Sequence, residues 1–132
     1  MEIRTHRQID PHLCGTPVMV ETGVSRVSLS TIPSMAADDR GLIHGGFIFG
    51  LADYAAMIAV NSPTVVLGSA TVKFLKPVRV HETIQADAAV LSVEGKKYTV
   101  SVTVGRGGET VFQGEFICFT LNRHVLEEGR KE

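Results

Sequence analysis

Apolar residues along this chain fall into two rhythms, and the change between them comes at a proline. From Phe47 to Val60 every position is apolar or small except Asp53 and the hydroxyl tip of Tyr54. No polar face can be drawn around such a run, which predicts a buried helix. At about 14 residues the run is shorter than the roughly 20 that cross a bilayer, and a carboxylate sits at its middle, so a transmembrane reading is rejected. Asn61-Ser62-Pro63 ends it, because proline lacks an amide donor and disfavours helical geometry in the residue before it.

Beyond Pro63 the period becomes two. Tyr98, Val100, Val102 and Val104 alternate with Thr99, Ser101 and Thr103, as in a half-buried strand. Val80 to Val93 sets Ile84, Ala86, Ala88 and Val90 on one face, Val65 to Leu75 is β-rich and closed by Pro77, and Val111 to Leu121 carries Phe112, Phe116 and Phe119. Glu94-Gly95-Lys96 predicts a hairpin turn. Gly105-Arg106-Gly107-Gly108 predicts a second; it opens no helix, so a phosphate-cradling loop is not expected there. Upstream, Val18 to Val20 and Val24 to Ile32 have strand composition around Gly23. Residues 1 to 16 read as an irregular or short helical lead-in, 33 to 41 as a loop into the helix, and 122 to 132 as a charged tail that frays or forms a short exposed turn.

The order of elements predicts an α+β architecture, a curled antiparallel sheet of five to six strands wrapped around one long central helix. So small a sheet exposes its edges, which predicts self-association by edge pairing or helix packing, as a homodimer or a dimer of dimers. A length of 132 residues suits a single domain without a linker, its core spanning about residues 15 to 121.

A net charge of -1 gives no electrostatic footprint for nucleic acid or anionic membrane, so the expected partner is a small molecule or another copy. Cys14 and Cys118 lack the paired spacing of a zinc site, and His12 with Cys14 has no second pair; free thiols, a cytoplasmic location and no metal or redox cofactor are expected. The polar N-terminus has no hydrophobic signal region.

Asp53 is the anomaly, since a buried carboxylate survives only with a partner, a raised pKa or a function. The helix opens on His44-Gly45-Gly46, where free backbone N–H groups lie at the positive end of the dipole and glycine lets a ligand approach closely. Such an end can stabilise the oxyanion of acyl transfer, and Asp53 can act as nucleophile or general base. Gly45 and Asp53 are eight residues apart, about 12 Å along the axis, so one helix cannot bring both to one carbonyl. A two-fold dimer with facing helices can, and the chemistry therefore predicts a site shared between subunits.

These residues resemble the signature of hotdog-fold thioesterases of the PaaI and 4-hydroxybenzoyl-CoA type. His44-Gly45-Gly46 followed by Leu51-Ala52-Asp53 matches their motif, and Phe74-Leu75-Lys76-Pro77 matches the segment closing the next strand. The resemblance implies hydrolysis of an acyl-CoA thioester to a carboxylic acid and CoA, with Asp53 as the catalytic carboxylate and the Gly45 N–H polarising the carbonyl. It implies too that His44 shapes the helix start and that Thr71 orients water or the carboxylate. Gly46, Asp38 and Met57 are further candidates for substrate contact, Met57 with Phe47 and Phe49 suiting either the core or an acyl pocket. Lys73, Lys76 and Arg79 could meet CoA phosphates or stand on a solvated strand edge. Two positions depart from the family: Asp38 replaces its usual Asn or Gln, and His81 replaces a glycine before the strand at Ile84. A non-hydrolytic acyl-CoA binder or sensor is the alternative. A dehydratase of the same fold fits less well, since its histidine-on-helix arrangement is not evident.

Overall fold

Strands form where the two-residue alternation lies, and the helix forms where it is lost. In the computed structural model, which describes residues 1–127, a one-turn helix α1 (Pro11–Cys14) precedes strands β1 (Thr16–Glu21) and β2 (Val24–Ser30). The long helix α2 (Gly45–Val60) follows, and then β3 (Val65–Phe74), β4 (Thr83–Glu94), β5 (Lys97–Arg106) and β6 (Glu109–Thr120). The expected tail is one 3-10 turn at Val125–Glu127 as far as it is described; residues 128 to 132 lie outside the described residues.

All strands join one antiparallel sheet in the order β1-β2-β4-β5-β6-β3. Of the inward residues predicted from alternation, Ile84, Ala86 and Ala88 on β4 and Val100, Val102 and Val104 on β5 are buried, with Phe112 and Phe116 on β6, while Val90 and Tyr98 are half-buried. They close on Leu51, Ala52, Ala55 and Ile58 of α2. This is the hotdog architecture, a curled sheet around one helix. Among the described residues no helix is long and apolar enough to cross a membrane.

The connectivity differs from a simple series of tight turns. Hairpins join β4 to β5 through Gly95-Lys96 and β5 to β6 through Gly107-Gly108, but β3 pairs with β6 and lies at the far edge of the sheet. The chain must then cross from Phe74 to Thr83 to start β4 beside β2. This crossing is why β4 begins at Thr83 and not at Val80. A turn at Arg79–Glu82 intervenes, with the His81 amide donating to the Thr31 carbonyl at 3.1 Å. His81 has φ of 76°, the left-handed region that favours glycine, which accounts for the family's glycine at this place.

Nor is α2 covered on every side. Gly46, Phe49, Gly50, Asp53 and Val60 share one stripe by their three- and four-residue spacing; Gly46 is exposed and the others are half-buried. The opposite side is anchored by polar contacts, with the Ser25 hydroxyl donating to the Ala55 carbonyl at 2.6 Å. At the C-terminus Asn61 takes the left-handed cap at φ 55°, its amide donating to the Met57 carbonyl. Its buried side chain pins the N-terminal segment, accepting from the Arg4 amide at 2.7 Å and donating to the Glu2 carbonyl at 2.8 Å.

Asn61→Ala should therefore cost about 2–3 kcal/mol, by removing both contacts and leaving the Cβ in left-handed geometry without the side-chain hydrogen bonds that offset it. Asn61→Gly keeps the geometry and should cost about 1–2 kcal/mol. Urea unfolding of the two variants measures the order.

Candidate active site

At the start of α2, His44 is in extended conformation and its Nδ1 accepts the Gly46 amide at 2.9 Å, while its carbonyl accepts from Phe47 at 3.1 Å. Accepting at Nδ1 assigns the ring proton to Nε2. Gly46 is thus occupied, and the Gly45 N–H has no hydrogen-bond partner among the described residues. It points from the positive end of the helix dipole. A Cβ at Gly45 would lie 3.1 Å from Cε1 of Phe74, so the ring is seated on the bare backbone of that residue. A cavity of about 320 Å³ opens here between Gly45, Ile43, Ile48, Phe74, Lys76 and Pro77. The two separate motifs meet at this point.

Asp38 lies in the loop before the helix and uses one carboxylate oxygen twice, accepting from the amides of Arg40 at 3.0 Å and Leu42 at 3.1 Å. Its role in this structure is to fold that loop. With Arg40, Leu42, Pro77 and Arg79 it lines an adjoining cavity of about 210 Å³. Lys76 pairs with Glu109 at 3.6 Å, and Arg106 binds Glu109, Glu82 and the Pro77 carbonyl, so the segment walling Gly45 is tied to the β5–β6 hairpin.

Asp53 lies two turns along α2, half-buried on the open stripe. Its Oδ1 is buried and has no hydrogen-bond partner among the described residues. Burial raises its pKa from 3.8 to about 6, because desolvation disfavours the charged form. Two thiols feel its charge. Cys14 and Cys118 are pushed up first by burial and then by the charge of Asp53, Cys118 to about 12.

Other predicted residues lie apart. Thr71 and Lys73 face the outer side of the sheet, in a polar groove of about 300 Å³ with Ser101, Thr103 and Gln113, and so do not meet Asp53 within one subunit. Met57 is 1% exposed and belongs to the core, not to the wall of a pocket. Sequence reasoning missed the Phe74 ring over Gly45 and the two cysteines around Asp53. Both depend on contacts between elements far apart in the chain, and no local pattern signals them. Asn61, a left-handed asparagine between a helix and Pro63, had a readable cap signal.

Among known proteins, the methylthioribose-1-phosphate isomerase of Aquifex aeolicus is 54% identical over 121 residues, covering 92% of this chain and 26% of that protein. The transcription factor FapR of Caldanaerobacter subterraneus subsp. tengcongensis is 30% identical over 87 residues, covering 66% of this chain and 44% of that protein. The chain thus spans about a quarter and under half of the curated relatives it matches. The crystal structure of an uncharacterized protein, PH1136 from Pyrococcus horikoshii, superposes with a TM-score of 0.95 at 50% identity, covering 96% of this chain and 98% of that one. The PaaI protein of the E. coli phenylacetic acid degradation operon shares the fold, with a TM-score of 0.72 at 24% identity over 78% of this chain and 80% of that one. A family model describing the thioesterase superfamily matches residues 40–112, from the loop before α2 into β6, and on that match, together with the helix and sheet that it spans, the chain belongs to the thioesterase superfamily.

Proposed function

We propose that the protein is a cytoplasmic acyl-CoA thioesterase in which Asp53 is the general base and the Gly45 N–H receives the oxyanion. The observation that carries this reading is the buried Asp53 oxygen left without a partner, on a helix whose first amide is also unclaimed. An unpaired buried carboxylate costs stability, and its raised pKa matches what a general base needs near neutrality. In the reaction, water attacks the thioester carbonyl as Asp53 takes its proton. The negative charge gathers on the carbonyl oxygen against Gly45, and the C–S bond then breaks, the departing sulfur taking the proton from Asp53. Carboxylate and backbone supply the proton transfer and the charge stabilisation, so neither metal nor redox cofactor is needed.

The free edge of the sheet supports a dimer that assembles this site. Of the two edge strands, β1 is interrupted by Pro17, whereas β3 has neither proline nor charge before Lys73. Phe74, at one end of β3, covers Gly45; Leu67, near the other, pairs with Cys118, which feels the charge of Asp53. Antiparallel pairing of β3 with a copy of itself about Ser69 and Ala70 would set Val65–Leu67 of one subunit beside Val72–Phe74 of the other. Asp53 would then face the Gly45 end of a second copy, spanning the 12 Å or so that separates them within one helix. A second reading, an acyl-CoA binder without turnover, draws on the 30% identity to a transcription factor. Binding of acyl-CoAs without thiol release across short, branched, aromatic and long chains would favour it.

Asp53→Asn should lower kcat roughly 10³-fold with the fold intact, and wild-type kcat/KM should rise with pH through about 6 and level off. Thiol release by the variant at near wild-type rate would sink the assignment. Stability should move the other way. Below about pH 3.8 the carboxyl is neutral in both folded and unfolded chains; above about 6 the folded state alone bears the cost of a desolvated charge. Asp53→Asn should thus raise the melting temperature at pH 8, with the gain fading to nothing towards pH 4.

Gly45→Pro isolates the oxyanion donor, since proline suits the first helical position and His44 already has the extended geometry required before it. It should lower kcat roughly 100-fold. Gly45→Ala adds the Cβ near Phe74 yet keeps the N–H, and should retain most of the rate; equal losses in the two variants would show that the Phe74 contact, not the donor, matters.

A further inference from the structure

At the opposite end of α2 from Gly45, a cavity of about 510 Å³ lies between the turn at Arg4–Gln8, the first residues of β3 and the turn after β6. Its walls include Arg4, His6, Arg7 and His124, beside Val65 and Val66, and no carboxylate lines it among the described residues. Neither arginine has an ion-pair partner among the described residues. Both histidine rings are held in place through Nδ1, and His124 is set for donation outward. His124 Nδ1 accepts the Leu126 amide at 3.0 Å, which leaves its proton on Nε2, and His6 Nδ1 is engaged with the Thr5 hydroxyl at 2.7 Å. The segment is built in place: Asn61 binds the backbone at Glu2 and Arg4, Thr5 is buried, and His6 takes the left-handed conformation at φ 54°. A pre-organised hollow with two guanidiniums and two imidazoles, and no acid among its described walls, is complementary to phosphate.

We propose that this pocket holds the phosphates at the adenosine end of a CoA thioester whose acyl group lies at the Gly45 cavity of a second subunit. This rests on the thioesterase reading and on pairing through β3. In that pairing Val65 and Val66, which wall the pocket, come beside the Phe74 end of the other copy, one strand spacing of about 4.8 Å away. The basic pocket and the second subunit's thioester cavity then form one channel. The chain carries a phosphate grip on its N-terminal segment, and the same pairing brings Lys73 of the second copy, on the outer side of the sheet, opposite Val66 at its wall.

The test is calorimetric titration of the full-length protein with adenosine 3',5'-bisphosphate, inorganic phosphate and adenosine, alongside turnover of an acyl-CoA and the matching acyl-pantetheine. The bisphosphate should bind, and Arg4→Ala/Arg7→Ala should weaken it at least about tenfold; adenosine should not bind, and phosphate alone should bind more weakly than the bisphosphate. The preference in kcat/KM for acyl-CoA over acyl-pantetheine should fall about tenfold in the same variant, at unchanged melting temperature. If wild type hydrolyses acyl-CoA and the double variant leaves both bisphosphate affinity and that preference as they were, the pocket assignment is overturned while the thioesterase reading stands. If bisphosphate binding depends on the arginines but no acyl-CoA is hydrolysed, the pocket stands and the thioesterase reading falls. Arg4→Lys/Arg7→Lys should recover part of the affinity, since charge is restored without the guanidinium fork.

Discussion

The structure depends on covering an apolar helix. A segment without a polar side must be enclosed, and a six-stranded sheet curled about it encloses most of α2. The curl leaves one stripe half-covered, and on that stripe the chain places its single helical charge. The architecture and the chemistry thus have one origin: the side of the helix that the sheet does not reach is where a carboxylate can be desolvated yet remain accessible.

Much of this was legible in the sequence. The alternation of Val100, Val102 and Val104 with polar neighbours is a local signal, and those residues are buried as it requires. The helix could be bounded by His44-Gly45-Gly46 and Pro63 because caps and proline act within one turn. Strand order was not legible. That β3 passes over to the far edge and pairs with β6 is decided by how ten-residue strands stack around the helix, a global outcome that no window of sequence contains. The same limit hid the orientation of Thr71, whose face of the sheet depends on the bulge between Leu67 and Ser69; a shift of one residue exchanges the two sides.

Two departures from the family pattern acquire physical reasons. His81 occupies a left-handed turn that glycine would adopt freely, so the substitution is tolerated at some cost in backbone strain and concerns the start of β4, not the site. Asp38 cannot offer the donor that an amide would, and it has other work: both of its hydrogen bonds go to the backbone of the loop that leads into His44. The loop is shaped by one carboxylate oxygen that accepts two amides.

The division of labour at the helix start explains why both glycines are there. A histidine cap satisfies one of the first amides and would, by filling every donor, abolish the site; taking Gly46 alone, it leaves Gly45 open. A bulky residue at the first glycine would displace the Phe74 ring, and one at the second would collide with the capping imidazole, 2.9 Å from where its Cβ would stand. Glycine here does not loosen the chain. It lets a cap and an aromatic wall close in from two sides while keeping one polarised N–H exposed, and that N–H is of use only if a carboxylate from elsewhere can reach the same carbonyl. Asp53, about 12 Å along its own helix, cannot do so within one subunit. On the proposed reading, the bare edge of β3 and the uncovered stripe of α2 belong to one requirement, that the site be completed by a second copy of the chain.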